Sequence, residues 1–397
     1  MPEAIERKTV SDLLSSLQKK PHLIQVIIGP RQVGKTTAAK MAAERWPGRV
    51  VYASADLPLP PGPEWIENQW QIAKRESSER PVLLILDEVH KVKGFGETIK
   101  RLWDEQAFSS QLAVFPVLLG SSSLLLSRET NESLAGRFFL HRCLHWSYAE
   151  CRRAFGWDLE HWLFFGGYPA AAMMAEDEER WRSYILDSLI EAILSRDVLS
   201  LQNINKPALL RHLFLLSASV PAQILSYNKM LGQLTDAGNT TTLAHYLRLL
   251  EQAFLVAGLE RFSTGRVRSR GSSPKLIVLN NALPNAVSRR SFKQALDDPA
   301  WWSRLVENAA GAHLINGLAG LPFEITYWRQ RNDEIDFVVR SGTKLWAIEI
   351  KSGREGKARG MEAFRRIHSN SQPLIIGPGG LSLEDFFLAD PRRLFEP

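Results

Sequence analysis

The stretch Val26 to Lys40, VIIGPRQVGKTTAAK, decides how the first third of the chain folds. Before it, HLIQVIIG is a short β-branched apolar run; after it, KTTAAKMAAERW places Ala, Met and Trp at helical spacing without Gly or Pro. The spacing predicts strand, loop, helix. The loop itself, Gly29, Pro30, Arg31, Gln32, Val33, Gly34, Lys35 and Thr36, reads G-P-R-Q-V-G-K-T and is followed by Thr37. Its glycines let backbone N–H groups face phosphate oxygens, Lys35 can bridge the β- and γ-phosphates, and the Thr36 hydroxyl can ligate Mg²⁺ at the positive end of the helix. All nine are candidate nucleotide-binding residues.

Such a loop does not by itself separate ATPase, kinase and GTPase. The next informative stretch is RPVLLILDEVHK, where Val82 to Leu86 form a continuous apolar strand of the buried parallel type ending in Asp87 and Glu88. Asp87 can hold the nucleotide's Mg²⁺, and Glu88 can polarise a water for attack on the γ-phosphate. This acidic pair favours hydrolysis over binding alone, and over small-molecule phosphorylation. A further strand, LAVFPVLLGSSS, ends in Ser121 and Ser122, where a γ-phosphate sensor would lie. Arg137, displayed after Gly136, reads either as a charge stabiliser for a neighbouring subunit's phosphates or as a surface arginine at a helix end.

Working outward, 397 residues suggest two or three domains. The 45% hydrophobic and 23% charged content is that of a globular protein. The longest apolar run, Leu112 to Leu126, is broken by Pro116, Gly120 and serines, so no membrane span is expected. The opening MPEAIERKTVSDLL lacks an apolar signal core, and Cys143 with Cys151 are too few for a disulfide framework or zinc site. A cytoplasmic setting is expected. Net charge is +6, which permits nucleic-acid contact without requiring it.

GPRQVGKTT, ILDEVHK, GSSSLLLSRETNESLAGR and the later FGGYP together resemble a large family of bacterial and archaeal AAA-type ATPases that carry a C-terminal domain of unknown function. The resemblance covers essentially the whole chain. It implies ATP and Mg²⁺ as cofactors, Gly29, Gly34, Lys35 and Thr36 as Walker A residues, Asp87 and Glu88 as the Walker B pair, and Ser121 or Ser122 as first sensor. It also implies a helical subdomain after the nucleotide core, with Arg196 and Asp197 fitting the family's pattern, and suggests a homo-oligomer. His90 departs from the glutamine more usual there, and DEVH is also similar to a DExH-box helicase, although no second RecA-like lobe follows.

In the middle of the chain, FGGYP precedes an amphipathic stretch over Glu178 to Leu199. From Lys206 to Phe262 the periodicity predicts three helices, the last capped by Asn-Thr-Thr, as in a helix-turn-helix or winged helix. The loop after them gathers Arg261, Arg266, Arg268, Arg270 and Lys275. That loop reads as a wing on DNA phosphates or as a solvated linker, and winged helices also dock proteins.

The last third reads α-β-β-β-α-β. Alternation predicts Ile335, Phe337 and Val339 on one face and Asp336 on the other, with Glu349 and Lys351 sharing a face on the next strand. If these strands pair, Asp336 and Glu349 can hold a divalent ion while Lys351 orients a water, which phosphodiester hydrolysis requires. The pattern resembles the PD-(D/E)xK nuclease core, with Glu307 matching its helix carboxylate. Two rivals remain: an ATP-coupled nuclease, and an ATP-dependent switch that binds DNA or a protein partner without cutting. The expected fold is α/β, with an AAA-like P-loop NTPase core at 1–150, a helical lid at 151–204, a winged-helix-like segment at 205–270 and a restriction-endonuclease-like domain at 271–397.

Overall fold

A computed structural model of the chain describes residues 5–108, 113–120, 133–198, 204–234, 238–263, 273–353 and 359–395. The chain divides after Leu144 into two compact units. In the first, five strands form one parallel sheet: β1 (Ile24–Ile28), β2 (Arg49–Ser54), β3 (Val82–Asp87), β4 (Val114–Gly120) and β5 (Phe138–Arg142). Their order is β2-β3-β4-β1-β5. β1, β3 and β4 are buried at every residue, which accounts for their unbroken apolar runs, whereas the edge strands β2 and β5 are partly exposed. The chain leaves β1 for the far edge at β2 and later returns to β1's other side as β5. That reversal opens a crevice at the carboxyl ends of β1 and its neighbours, where parallel sheets bind ligands.

His141 on β5 is 5% exposed, its Nε2 lies 2.8 Å from Gln25 Oε1, and burial lowers its pKa to about 4. The unfolded chain therefore binds a proton that the folded chain refuses between about pH 6.5 and 4, and stability is lost as pH falls through that window. Replacing the imidazole by His141→Asn should remove up to roughly 1.4 kcal/mol of acid-induced loss per pH unit. Urea melts of both proteins at pH 7 and pH 5 test this; an unchanged pH dependence in the variant would refute it.

The second unit begins with helices Tyr148–Phe155 and Leu159–Phe165, and a helical path runs from Glu178 to Val198 with π-type turns over Tyr184–Ile190 and Ile193–Val198. The side chains of Arg196 and Asp197 lie outside the described residues. The glycines of FGGYP are explained by packing: Gly166 has φ of 72°, and a Cβ on Gly167 would sit 2.2 Å from the Trp146 carbonyl oxygen. Helices Pro207–Ser219, Tyr227–Gln233 and Thr240–Gln252 follow, the last capped by Asn239, whose Oδ1 accepts from Thr242 N at 2.8 Å. An antiparallel hairpin of β6 (Val256–Leu259) and β7 (Lys275–Val278) comes next, and the sequence division at residue 270 falls within it. Residues 222–225 run along β7, with Ala222 N donating to Leu276 O at 2.8 Å.

Helix Pro299–Leu318, β8 (Glu324–Gln330), β9 (Asp333–Ser341), β10 (Lys344–Ile350), helix Arg359–Ile367 and β11 (Gln372–Ile376) give the expected α-β-β-β-α-β order. The sheet order is β11-β10-β9-β8, with β10 parallel to β11 and the other pairs antiparallel. Simple alternation fails on β9. Thr326 pairs with Val338 but Trp328 with Ile335, so Tyr327 alone faces Asp336 and Phe337. This bulge shifts the phase of the strand. Ile335 and Val338 pack in a cluster with Phe364, while Phe337 and Val339 join Val306, Ala309 and Ala310 of helix Pro299–Leu318. No described helix is long and apolar enough to cross a membrane.

Candidate functional site

The phosphate loop leaves β1 and enters helix Lys35–Glu44 through Gly34 in the left-handed region, φ 93°. Gln32, also left-handed at φ 58°, sharpens the turn. A Cβ on Gly29 would lie 1.9 Å from the Cys143 carbonyl oxygen, so glycine is required where the loop passes the end of β5. Arg7, 8% exposed, donates through Nη1 to Val33 O at 3.2 Å and Leu144 O at 2.9 Å. It fastens the back of the loop to the end of the sheet. Thr37 lies inside the helix's first turn, after Lys35 and Thr36.

Lys35 is 8% exposed and donates from Nζ to the carbonyls of Gly29 at 3.0 Å and Pro30 at 2.6 Å. Burial lowers its pKa, against the opposing charges of Cys143, Glu88 and Asp87. Thr36 Oγ1 donates to Asp87 Oδ2 at 2.7 Å, joining loop and strand end as a shared magnesium site requires. Tyr52, at the end of the neighbouring β2, also donates to that oxygen at 3.0 Å. Burial and then Asp87 push the phenol up to about 12, keeping it a donor. Glu88 has φ of 53°, a strained value for a non-glycine residue. Its Oε2 is buried and accepts no hydrogen bond, lying 3.4 Å from His90 Nε2. Burial raises the Glu88 pKa, with Lys35 opposing. Partial desolvation thus makes this carboxylate a stronger proton acceptor than a solvated glutamate.

Ser121 and Ser122 lie outside the described residues, as do Arg266, Arg268 and Arg270 of the basic loop. Arg137 is held within its own chain, Nε 2.7 Å from Asp104 Oδ1 and Nη2 2.9 Å from Asp104 Oδ2. The guanidinium read as a contact for a neighbour's phosphates is thus engaged by a bidentate partner.

A second constellation lies in the C-terminal sheet. The β9–β10 ladder ends at Phe337 and Ile348, and past that pair Asp336 Oδ2 accepts from Ile350 N at 2.8 Å. Lys351 Nζ lies 2.6 Å from Glu349 Oε1. Burial raises the Glu349 pKa, the Lys351 hydrogen bond opposes it, and Asp336 adds to it, so these groups sense one another. Yet the carboxylates whose oxygens come within 4.8 Å of one another are Glu307, Glu334 and Asp336, without Glu349. Among them stands Lys275, read from sequence as part of a basic loop but 0% exposed in the structure. Its Nζ is 2.5 Å from Glu307 Oε1, 3.5 Å from Glu334 Oε1 and 3.6 Å from Asp336 Oδ1, and donates to the Asp336 carbonyl at 3.2 Å. Burial lowers the lysine's pKa, but Glu307 and Asp336 outweigh it and the net direction is up. Glu334 could have been found from its i, i+2 spacing to Asp336; nothing local in KLIV marks Lys275 as buried.

Three family profiles match successive parts of the chain. An AAA domain covers residues 21–152, a domain of unknown function (DUF8612) residues 156–294, and a second domain of unknown function (DUF4143) residues 302–384. Uncharacterized protein Rv2008c of Mycobacterium tuberculosis is 25% identical over 356 residues, spanning 87% of this chain and 74% of its own. Uncharacterized protein Mb2031c of Mycobacterium bovis matches equally. Among solved structures, the Walker-type ATPase PABY2304 of Pyrococcus abyssi is similar at TM-score 0.46 and 13% identity, over 71% of this chain and 94% of that one. The Aeropyrum pernix Orc1 protein in complex with DNA is similar at TM-score 0.31 and 15% identity, over 74% and 95%.

Proposed function

We propose that this chain, which carries an AAA domain in its first third, is a Mg²⁺-dependent ATPase whose turnover controls contact of the later segments with DNA. The observation that carries the ATPase reading is the 2.7 Å hydrogen bond from Thr36 to Asp87, which closes the loop onto the strand end beside a half-buried Glu88 whose pKa is raised. Thr36 and Asp87 would hold the ion, and Lys35 with the loop's backbone amides the phosphates. Bound magnesium would neutralise charge on the phosphate oxygens. Glu88 accepts the proton of the attacking water, Asp87 keeps Thr36 and Tyr52 oriented, and Arg7 holds the loop in place.

Support for DNA contact is the helix, helix, helix, hairpin order over residues 207–278 and the arginine-rich sequence between β6 and β7. ATP turnover of the purified chain with Mg²⁺, with and without duplex and single-stranded DNA, tests both parts. Turnover is expected to depend on DNA and to be lost in Lys35→Ala. Turnover that persists in the variant removes the loop as its site; turnover indifferent to DNA favours a protein partner instead.

A further inference from the structure

We infer that the ammonium of Lys275 is the resident cation of the C-terminal carboxylate cluster, standing where a divalent ion would bind, so that this core takes no metal and cuts no nucleic acid. The inference does not depend on turnover at the phosphate loop, because every group in it belongs to the second unit.

Glu307 from helix Pro299–Leu318 and Glu334 and Asp336 from β9 each bring one oxygen into a common space less than 4.8 Å across. Three converging carboxylates suit a hard divalent cation. In this chain the space contains Lys275 Nζ, within 3.6 Å of all three. An ammonium has three N–H donors and no acceptor, and here it meets carboxylates, the Asp336 carbonyl, and the Phe337 ring at 5.0 Å. Its side chain is 0% exposed, so it is neither a surface pair free to swing into solvent nor a lysine placed to touch a substrate.

The backbone holds it there. Lys275 opens β7, paired with Leu259 of β6 on one side and bridged to Ile224 on the other. A divalent ion entering the cluster would meet a fixed like charge a few ångströms away in a poorly screened interior. One oxygen of each carboxylate read from sequence as an ion ligand also has a protein donor: Asp336 Oδ2 takes Ile350 N, and Glu349 Oε1 takes Lys351, while Glu349 Oε2 accepts none. The phase shift at the β9 bulge assists, because it puts Asp336 on the side of Phe337 and helix Pro299–Leu318, toward β7, rather than opposite Phe337. The acidic pattern that resembles a nuclease is in this protein a socket that ties the β6–β7 hairpin to the C-terminal sheet.

The test is Mn²⁺ titration of the full chain without nucleotide, free Mn²⁺ being read by electron paramagnetic resonance, for the wild type, Asp336→Asn and Lys275→Met. Wild type and Asp336→Asn are expected to bind the same amount. Lys275→Met should take up one further ion per chain and lose it again in Lys275→Met with Asp336→Asn. An ion bound by the wild type and lost in Asp336→Asn would overturn the inference, as would a folded Lys275→Met that gains none. Should Lys275→Met fail to fold, the first comparison still decides. Plasmid DNA incubated with the wild type and Mg²⁺ or Mn²⁺ should stay intact; nicking that disappears in Asp336→Asn would contradict the inference.

Discussion

Glu88→Gln should lower ATP turnover by roughly 10² to 10⁴ while leaving nucleotide binding nearly unchanged, the loss general-base catalysis commonly accounts for. The amide keeps the volume of the side chain and its place after β3, so Thr36, Tyr52 and Asp87 retain their contacts. What it removes is a carboxylate whose burial raises its pKa and makes it a better proton acceptor than a solvated glutamate. The same shift sets the pH profile: the base works only when ionised, so turnover should fall with decreasing pH at a higher pH than an ordinary carboxylate would give. Steady-state kinetics beside equilibrium binding of a fluorescent ATP analogue separate the two effects. Full turnover in the variant would rule out Glu88 as the base; loss of binding together with turnover would show a positioning role.

The second large effect is on stability. Asn308→Ala should cost about 3 to 5 kcal/mol, because it strands several buried polar groups at once. Asn308 is 0% exposed, and its amide bonds both backbone groups of Val278: Oδ1 accepts from Val278 N at 2.8 Å, and Nδ2 donates to Val278 O at 2.7 Å. Nδ2 also reaches Asn281 Oδ1 at 2.9 Å, and Asn281 in turn donates to the carbonyls of Leu163 and Leu305. Removing one amide therefore leaves the Val278 N–H, the Val278 carbonyl and the Asn281 Oδ1 without the partner Asn308 supplies. Urea unfolding followed by tryptophan fluorescence measures the change; a loss under about 1 kcal/mol would mean that water or a rearrangement satisfies those groups.

These sites differ in how far a linear reading reaches them. The phosphate loop, Asp87 and Glu88 are legible because each depends on a few consecutive residues whose conformation is locally dictated: a strand, a turn that requires glycine, a helix start. The helices after Pro207 and the α-β-β-β-α-β order are legible for the same reason, since periodicity records which residues face a core. Tyr52 and Arg7 are not. Tyr52 meets Asp87 only because β2 lies beside β3, and Arg7 meets Val33 and Leu144 only once the sheet has closed. Arg137 reads as displayed, yet Asp104, on helix Phe95–Phe108, binds it.

The sequence by itself singled out a loop suited to phosphates and acidic residues suited to activating water, because the chemistry of a loop and a strand end is written in neighbours. It also placed Asp336 and Glu349 on two strands that pair in the fold, with Lys351 just past the end of the second. Only the tertiary structure decided which groups the acidic residues of the last third meet. A bulge opposite Tyr327 turned the phase of β9, and a lysine some 60 positions before Asp336 was carried by its hairpin into the carboxylates. A charge can be buried only where opposite charges arrive from elsewhere in the chain, and no local pattern records that arrival.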